Sequence, residues 1–307
     1  MFAYSTSPKM LVSIRIAIIV PLGAAMLLAL AAATPARALE RRACADCPTM
    51  AVAPAGSFRM GKTVNRGYGE IDGPTHTVRF KRPFALAIHE VTLGDFRAFV
   101  KDTGYVSERK CNVYDAGTSW FIDPRRNWAD PGFPQADDHP VVCVSWRDAQ
   151  AYIAWLNRET GRRYRLPSEA EYEYAAVSAD LGDSKAGGAI THDIANIGKV
   201  ECCGGEVGGA DTWLHTAPVG SFLPDKHGLH DLRGNVWEWQ QDCYHDDYLG
   251  APNDGSARES CPKPGHHAVR GGSYGDAADY LSPRFRLGGP EDQGYFTVGF
   301  RLAGPAD

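Results

Sequence analysis

Three helix starts crowd into one short stretch of this 307-residue chain, and none follows it. Thr92-x-x-Asp95, Ser145-x-x-Asp148 and Ser168-x-x-Glu171 each place a hydroxyl three residues ahead of an acid. At that spacing the hydroxyl accepts from the third backbone N–H while the acid reaches back to the cap, so each pair reads as a helix start. Gly104 and Gly161 stop the first two helices. Ala149, Tyr152, Ile153 and Leu156 make a buried stripe on the second, and Tyr172, Ala175 and Ala176 do so on the third. From Gly182 onward helix signals vanish, and short apolar pieces alternate with Gly, Asn and Asp. With 33 glycines and 20 prolines, the chain must be built largely from turns and short strands. The expected class is α+β, with few helices, short strands and much irregular loop.

Strand candidates follow from alternation and turn residues. Residues 50–60 read as strand-turn-strand around Pro54 and Gly56, with further strands at 75–80 and 84–89. Residues 298–302 read as one closing strand, and residues 111–139 as an irregular loop without periodicity. Long loops of that kind tend to be functional or pinned by disulfides.

Lys9 and Arg15 precede an apolar run over residues 16–33, and Ala36-Arg37-Ala38 has the small-x-small form of a cleavage site. Residues 1–38 read as a secretory signal peptide and 39–307 as one domain, placed in the periplasm or outside the cell. A retained anchor is the alternative reading of the same run; after cleavage no stable membrane span remains. The net charge of −5 and the scattered Lys and Arg exclude a nucleic-acid footprint. All eight cysteines follow the leader, and an even number in an exported chain points to disulfides. The expected pairs are Cys44 with Cys47, Cys111 with Cys143, and Cys243 with Cys261. The vicinal Cys202-Cys203 bonds internally or outward, and spacing does not settle connectivity.

The densest signal is Gly234-Asn235-Val236-Trp237-Glu238-Trp239, followed by Arg270-Gly271-Gly272-Ser273-Tyr274. Two tryptophans around a carboxylate, beside sharply bent backbone, mark a site for an ion or a ligand. Together with Asp138-His139-Pro140-Val141-Val142-Cys143-Val144-Ser145-Trp146, Arg165-Leu166-Pro167-Ser168-Glu169-Ala170-Glu171-Tyr172, Thr216-Ala217-Pro218-Val219-Gly220 and Gly299-Phe300-Arg301, these residues resemble the formylglycine-generating enzymes, or sulfatase-modifying factors. The likeness runs over about residues 48–303. It implies the family fold, a C-type-lectin-like variant poor in regular structure.

The resemblance also implies two calcium sites. Asn196, Ile197, Asp211 and Trp213 would form the first, with Ile197 and Trp213 acting through carbonyls; Gly234, Asn235, Val236 and Glu238 would form the second. Calcium takes such mixtures of carboxylate, amide and carbonyl oxygen. Without calcium, Asn196 and Asn235 would cap turns and Glu238 would pair with an arginine. Trp239, Ser273, Asp276 and Arg286 are the implied ligand-binding residues of the family groove; the bland alternative for Arg286 is an ion pair with Glu238 or Asp276. His139 reads as a structural histidine. The family's copper-binding cysteine pair falls here on Asp276 and near Leu281, and no cysteine follows Cys261. Copper(I) prefers soft sulfur ligands, so copper is not expected and no catalytic residue is assigned. The implied function is a calcium-stabilised, non-copper member that binds a peptide, a secreted protein or a small molecule. The alternative is an oxidative maturation enzyme for a secreted sulfatase or peptide, of the formylglycine-generating or pyoverdine-maturation kind.

Overall fold

The computed structural model describes residues 47–62, 64–65, 70–71, 73–107, 110–115, 119–178, 190–199 and 204–306. The expected leader with its cleavage point, Cys44, and Cys202-Cys203 lie outside the described residues. The strands of the first part are β1 (Met50–Ala53), β2 (Gly56–Met60), β3 (Val64–Asn65), β4 (Glu70–Ile71), β5 (His76–Phe80) and β6 (Phe84–Glu90). Helix α1 (Leu93–Thr103) follows, then β7 (Cys111–Asp115) and β8 (Ser119–Asp123), then α2 (Trp146–Thr160) and α3 (Glu169–Ser178). The remainder holds β9 (Trp237–Cys243), β10 (His266–Arg270), a 3-10 turn (Ala278–Leu281), β11 (Arg286–Pro290), β12 (Gly294–Tyr295), β13 (Val298–Gly299) and β14 (Arg301–Pro305). Few helices, short strands and long loops make this an α+β fold.

The helix starts are formed as their spacing requires. Thr92 and Ser145 each close a reciprocal capping box, and Gly104 and Gly161 end α1 and α2 in the left-handed region. Ser168 Oγ accepts from Glu171 N at 3.1 Å while Ser168 N donates to the Glu171 carboxylate at 2.9 Å. Ala149, Tyr152, Ile153 and Leu156 all face inward, packing with Phe96, Phe99, Trp237, Trp239 and Phe300 in the main core.

Two expectations need correction. Residues 111–123 are not irregular: β7 and β8 form an antiparallel pair, with Val113 opposite Phe121 and Tyr114 opposite Trp120. Long-range pairing overrides the missing periodicity there, because β12 adds in parallel to β7 and a disulfide joins Cys111 to Cys143. The closing segment is two strands rather than one. β13 pairs with β9, β14 pairs with β6, and the buried Phe300 lies between them. The expected Cys243–Cys261 bridge is also present; Cys47 is disulfide-bonded as well.

The sheets that place the site are β11-β10-β9-β13 and β12-β7-β8. No helix among the described residues is long and apolar enough to cross a membrane.

Candidate functional site

The Arg270-Gly271-Gly272-Ser273 motif sits where β10 leaves its sheet. Gly271 and Gly272 have φ of +107° and +76°. A Cβ on Gly271 would lie 2.6 Å from the Tyr172 hydroxyl, and one on Gly272 would lie 2.7 Å from Leu281 Cδ1. Only glycine fits both the backbone and the space. The turn delivers Ser273, Tyr274 and Asp276 to one place.

Asp276 is fully enclosed there. Its Oδ2 accepts from Ser273 N at 3.0 Å, from Trp237 Nε1 at 2.8 Å, and from the Ser273 hydroxyl in a short contact. Burial pushes its carboxyl up to about 6, against the pull of the Ser273 and Trp237 donors. Leu281, near which the family's second copper cysteine is expected to fall, is wholly buried, its side chain against the Gly272 turn.

Tyr274 carries the turn outward. Its ring meets Phe133, His215 and Phe296 at 5.8, 5.6 and 6.1 Å. Phe133 and His215 stack at 4.2 Å. With Val113, Tyr114, Phe121 and Phe296 they line an open groove of about 320 Å³. Asp123 and Arg125 close one end as a bidentate pair at 2.9 and 2.7 Å, and Arg126 pairs with Asp130 at 2.8 Å. The groove is therefore aromatic, and its charges are internally matched.

The expected ligand-binding residues do not all meet at this groove. Ser273 and Asp276 lie behind it, next to Tyr274. Trp239 is wholly buried in the main core, donating from Nε1 to Val144 O at 3.0 Å. Trp237, on the same face of β9, is the tryptophan that reaches Asp276. Arg286 belongs to a separate buried network: it grips Glu169 at 2.6 and 2.7 Å and lies over the rings of Tyr244 and Tyr248. An ion pair at Arg286 is present, but with Glu169 rather than Glu238 or Asp276. Arg270 meets the same carboxylate from Nε at 3.0 Å and approaches Glu173 at 3.1 Å. Burial alone would raise the Glu169 carboxyl, yet the two arginines hold it at about 2. His139 is satisfied by Thr216 Oγ1 at 2.9 Å.

The two sets implied for calcium differ in fit. In the second, both Glu238 oxygens are engaged by Arg301, at 2.7 Å each, and Tyr172 adds a hydroxyl at 3.3 Å. Asn235 Oδ1 accepts from Ala217 N at 2.9 Å, and Asn235 O accepts from Tyr274 N at 2.9 Å. The carboxylate already has its counter-charge, so Gly234, Asn235, Val236 and Glu238 do not fit a calcium ion. In the first set, Asn196 Oδ1 is buried without a hydrogen-bond partner. The Ile197 and Trp213 carbonyls accept nothing from the described residues. Buried Asp211 faces these groups through the Ile197 and Trp213 amides, at 3.3 and 3.1 Å, with His192 at 3.0 Å. Unfilled amide and carbonyl oxygens beside one carboxylate suit calcium. Asn196 also donates to His215 O at 2.7 Å, so this set braces one wall of the groove.

Sequence reasoning missed the groove wall itself: Tyr114, Phe121, Phe133, His215 and Phe296 come from four separate segments. The one available signal was the aromatic content of the disulfide-flanked stretch after Cys111.

The family described as sulfatase-modifying factor enzyme 1-like domain matches residues 35–306. A formylglycine-generating enzyme of Streptomyces coelicolor is 34% identical, over 83% of this chain and 88% of its own. The Mus musculus protein named inactive C-alpha-formylglycine-generating enzyme 2 is 31% identical, over 85% of this chain and 87% of its own. Among solved structures, PvdO from Pseudomonas aeruginosa superposes with a TM-score of 0.70 at 34% identity, covering 88% of this chain and 98% of that one.

Proposed function

This chain belongs to the sulfatase-modifying factor enzyme 1-like family, and from that premise we propose that it is an exported, calcium-stabilised, non-copper member that binds a peptide or small ligand in the aromatic groove. One observation carries the reading. At and near the expected places of the copper cysteines stand Asp276, fastened to Ser273 and Trp237, and Leu281, packed under the Gly272 turn. A buried carboxyl and an aliphatic side chain offer no soft donor pair, and monovalent copper selects sulfur. The last two cysteines of the chain, Cys243 and Cys261, are bonded to each other.

The residues that line the groove have binding rather than redox chemistry. Phe133, His215 and Phe296 give an aromatic wall backed by the buried Tyr274, and Asp276 holds the turn beneath it. Bound at Asn196, Ile197, Asp211 and Trp213, calcium would supply a positive charge that ties two loops together below His215. Two disulfides support an oxidising compartment, periplasmic or extracellular.

The test is to offer the purified chain Cu(I) under anaerobic conditions, count bound metal, and assay oxidation of a Cys-x-Pro-x-Arg peptide. We expect neither stoichiometric copper nor an aldehyde product. Stoichiometric copper with turnover would overturn this reading and establish the oxidative maturation enzyme instead. Dialysis against EDTA is expected to lower Tm, since an ion that binds only the folded state stabilises it by about 2.7 kcal/mol at a hundredfold excess over Kd. Asp211→Asn should abolish that increment. A Tm indifferent to EDTA removes calcium from the proposal.

A further inference from the structure

Among the described residues, the groove is bordered by a strand that has a partner on one side only. In the β12-β7-β8 sheet, β8 is an outer strand. Apart from its ladder with β7, the backbone of residues 119–122 makes no hydrogen bond to any described residue. Its side chains are open too: Trp120, Phe121 and Ile122 are 40%, 44% and 51% exposed. Three consecutive large apolar residues on a bare edge are what folded proteins ordinarily avoid, because such an edge templates further pairing.

The edge is also rigid. Cys111–Cys143 anchors β7, β12 flanks it, and the Trp120 ring meets Tyr114, Tyr295 and Phe296 edge-on at 5.7, 6.0 and 5.7 Å. Phe121 and Asp123 line the aromatic groove, while Trp120 and Ile122 alternate to the opposite face.

We propose that β8 is a docking edge for an extended polypeptide segment, which adds as a fourth strand and sends alternate side chains into the groove. The unpaired row of backbone groups decides the class of occupant. Backbone N–H and C=O groups at strand spacing are matched by another strand, not by a compact small molecule. Five residues of β8 span about 17 Å, so about five residues of the partner pair with it. The groove's charges are matched among themselves, through Asp123 with Arg125 and Asp130 with Arg126. The recognised segment is therefore uncharged, with an apolar or aromatic side chain facing Phe121 and Phe133. This inference rests on the binding role proposed above and narrows it to peptides held by main-chain pairing.

The experiment selects binders to the full mature chain from a phage-displayed library of random twelve-residue peptides. A selected peptide is then synthesised in two forms, with alternate amides N-methylated in one register or the other. One register should lose affinity by tenfold or more, from two lost backbone hydrogen bonds, and the other should keep it. Ile122→Lys, at an exposed position without ring contacts, should weaken binding, and amides 119–122 should gain hydrogen-exchange protection. Equal loss in both registers, protection confined elsewhere, or no enriched peptide would sink the proposal. A groove that takes only small molecules would do the same while leaving the proposed function standing. Concentration-dependent dimers of the chain that Ile122→Lys dissolves would give the edge to a second copy and equally overturn it.

Discussion

Two regions of this molecule handle polar groups in opposite ways. Behind β9 and β10, Glu238 with Arg301, and Glu169 with Arg270 and Arg286, place full charges in the interior and match each one with short paired contacts. Around β7 and β8, aromatic side chains and a strand edge are left facing outward. The motif-rich region is closed on itself, and the region without a motif is open to solvent. Charge density in a sequence thus marks where the frame is held. The proposed docking edge lies where a strand has no backbone partner on one side among the described residues.

The largest effect expected from this contrast is on stability. Removing one member of a buried ion pair strands the other charge, at about 3–5 kcal/mol. Arg301→Met should cost that much in denaturant unfolding, since Glu238 would lose both its guanidinium contacts. A cost below about 1 kcal/mol would mean that the interior pairs are dispensable and the contrast is false.

Asp276 lies between the two regions and sharpens the comparison through pH. Its folded-state value of about 6 stands above the ordinary 3.8. A raised acid favours the folded state while protonated, so its contribution is complete below about 4 and is lost as pH rises through about 6. The difference of about 2 units corresponds to about 3 kcal/mol. Asp276→Asn should therefore become more stable relative to the parent chain across that window. Glu169 works in the other direction: held at about 2, it contributes above about 4.5 and is lost only in strong acid. Parallel pH curves for Asp276→Asn and the parent would show that Asp276 is not the titrating group.

The smallest effect belongs to the open region. Ile122→Ser removes a side chain that is 51% exposed and should change unfolding free energy by less than about 0.5 kcal/mol. A large destabilisation would show that Ile122 is part of the core and not of a binding edge.

Much of the fold was legible in the residues. The hydroxyl–acid pairs located all three helices, because capping is decided within four residues of chain. The count of cysteines pointed to disulfides but left connectivity open, which the Cys111–Cys143 and Cys243–Cys261 bonds settled, and the family resemblance located the Gly271-Gly272 turn. The β7–β8 pair was not legible, since neither strand alternates cleanly and both depend on β12, which lies over 170 residues later. Arg286 was expected in the groove because a motif position says nothing about which carboxylate lies across the sheet. The two tryptophans of β9 share a face, so only packing decided that Trp237 reaches Asp276 while Trp239 turns to Val144.

By itself the sequence determined the α+β class, the helix boundaries, the family, and the lack of any cysteine after Cys261; each depends on residue identity or on contacts a few positions apart. The tertiary structure alone decided which charges neutralise each other, which tryptophan holds the turn, and where an unpaired strand edge faces outward. Those outcomes depend on distances between residues far apart in the chain, and such distances exist only once the sheets have assembled.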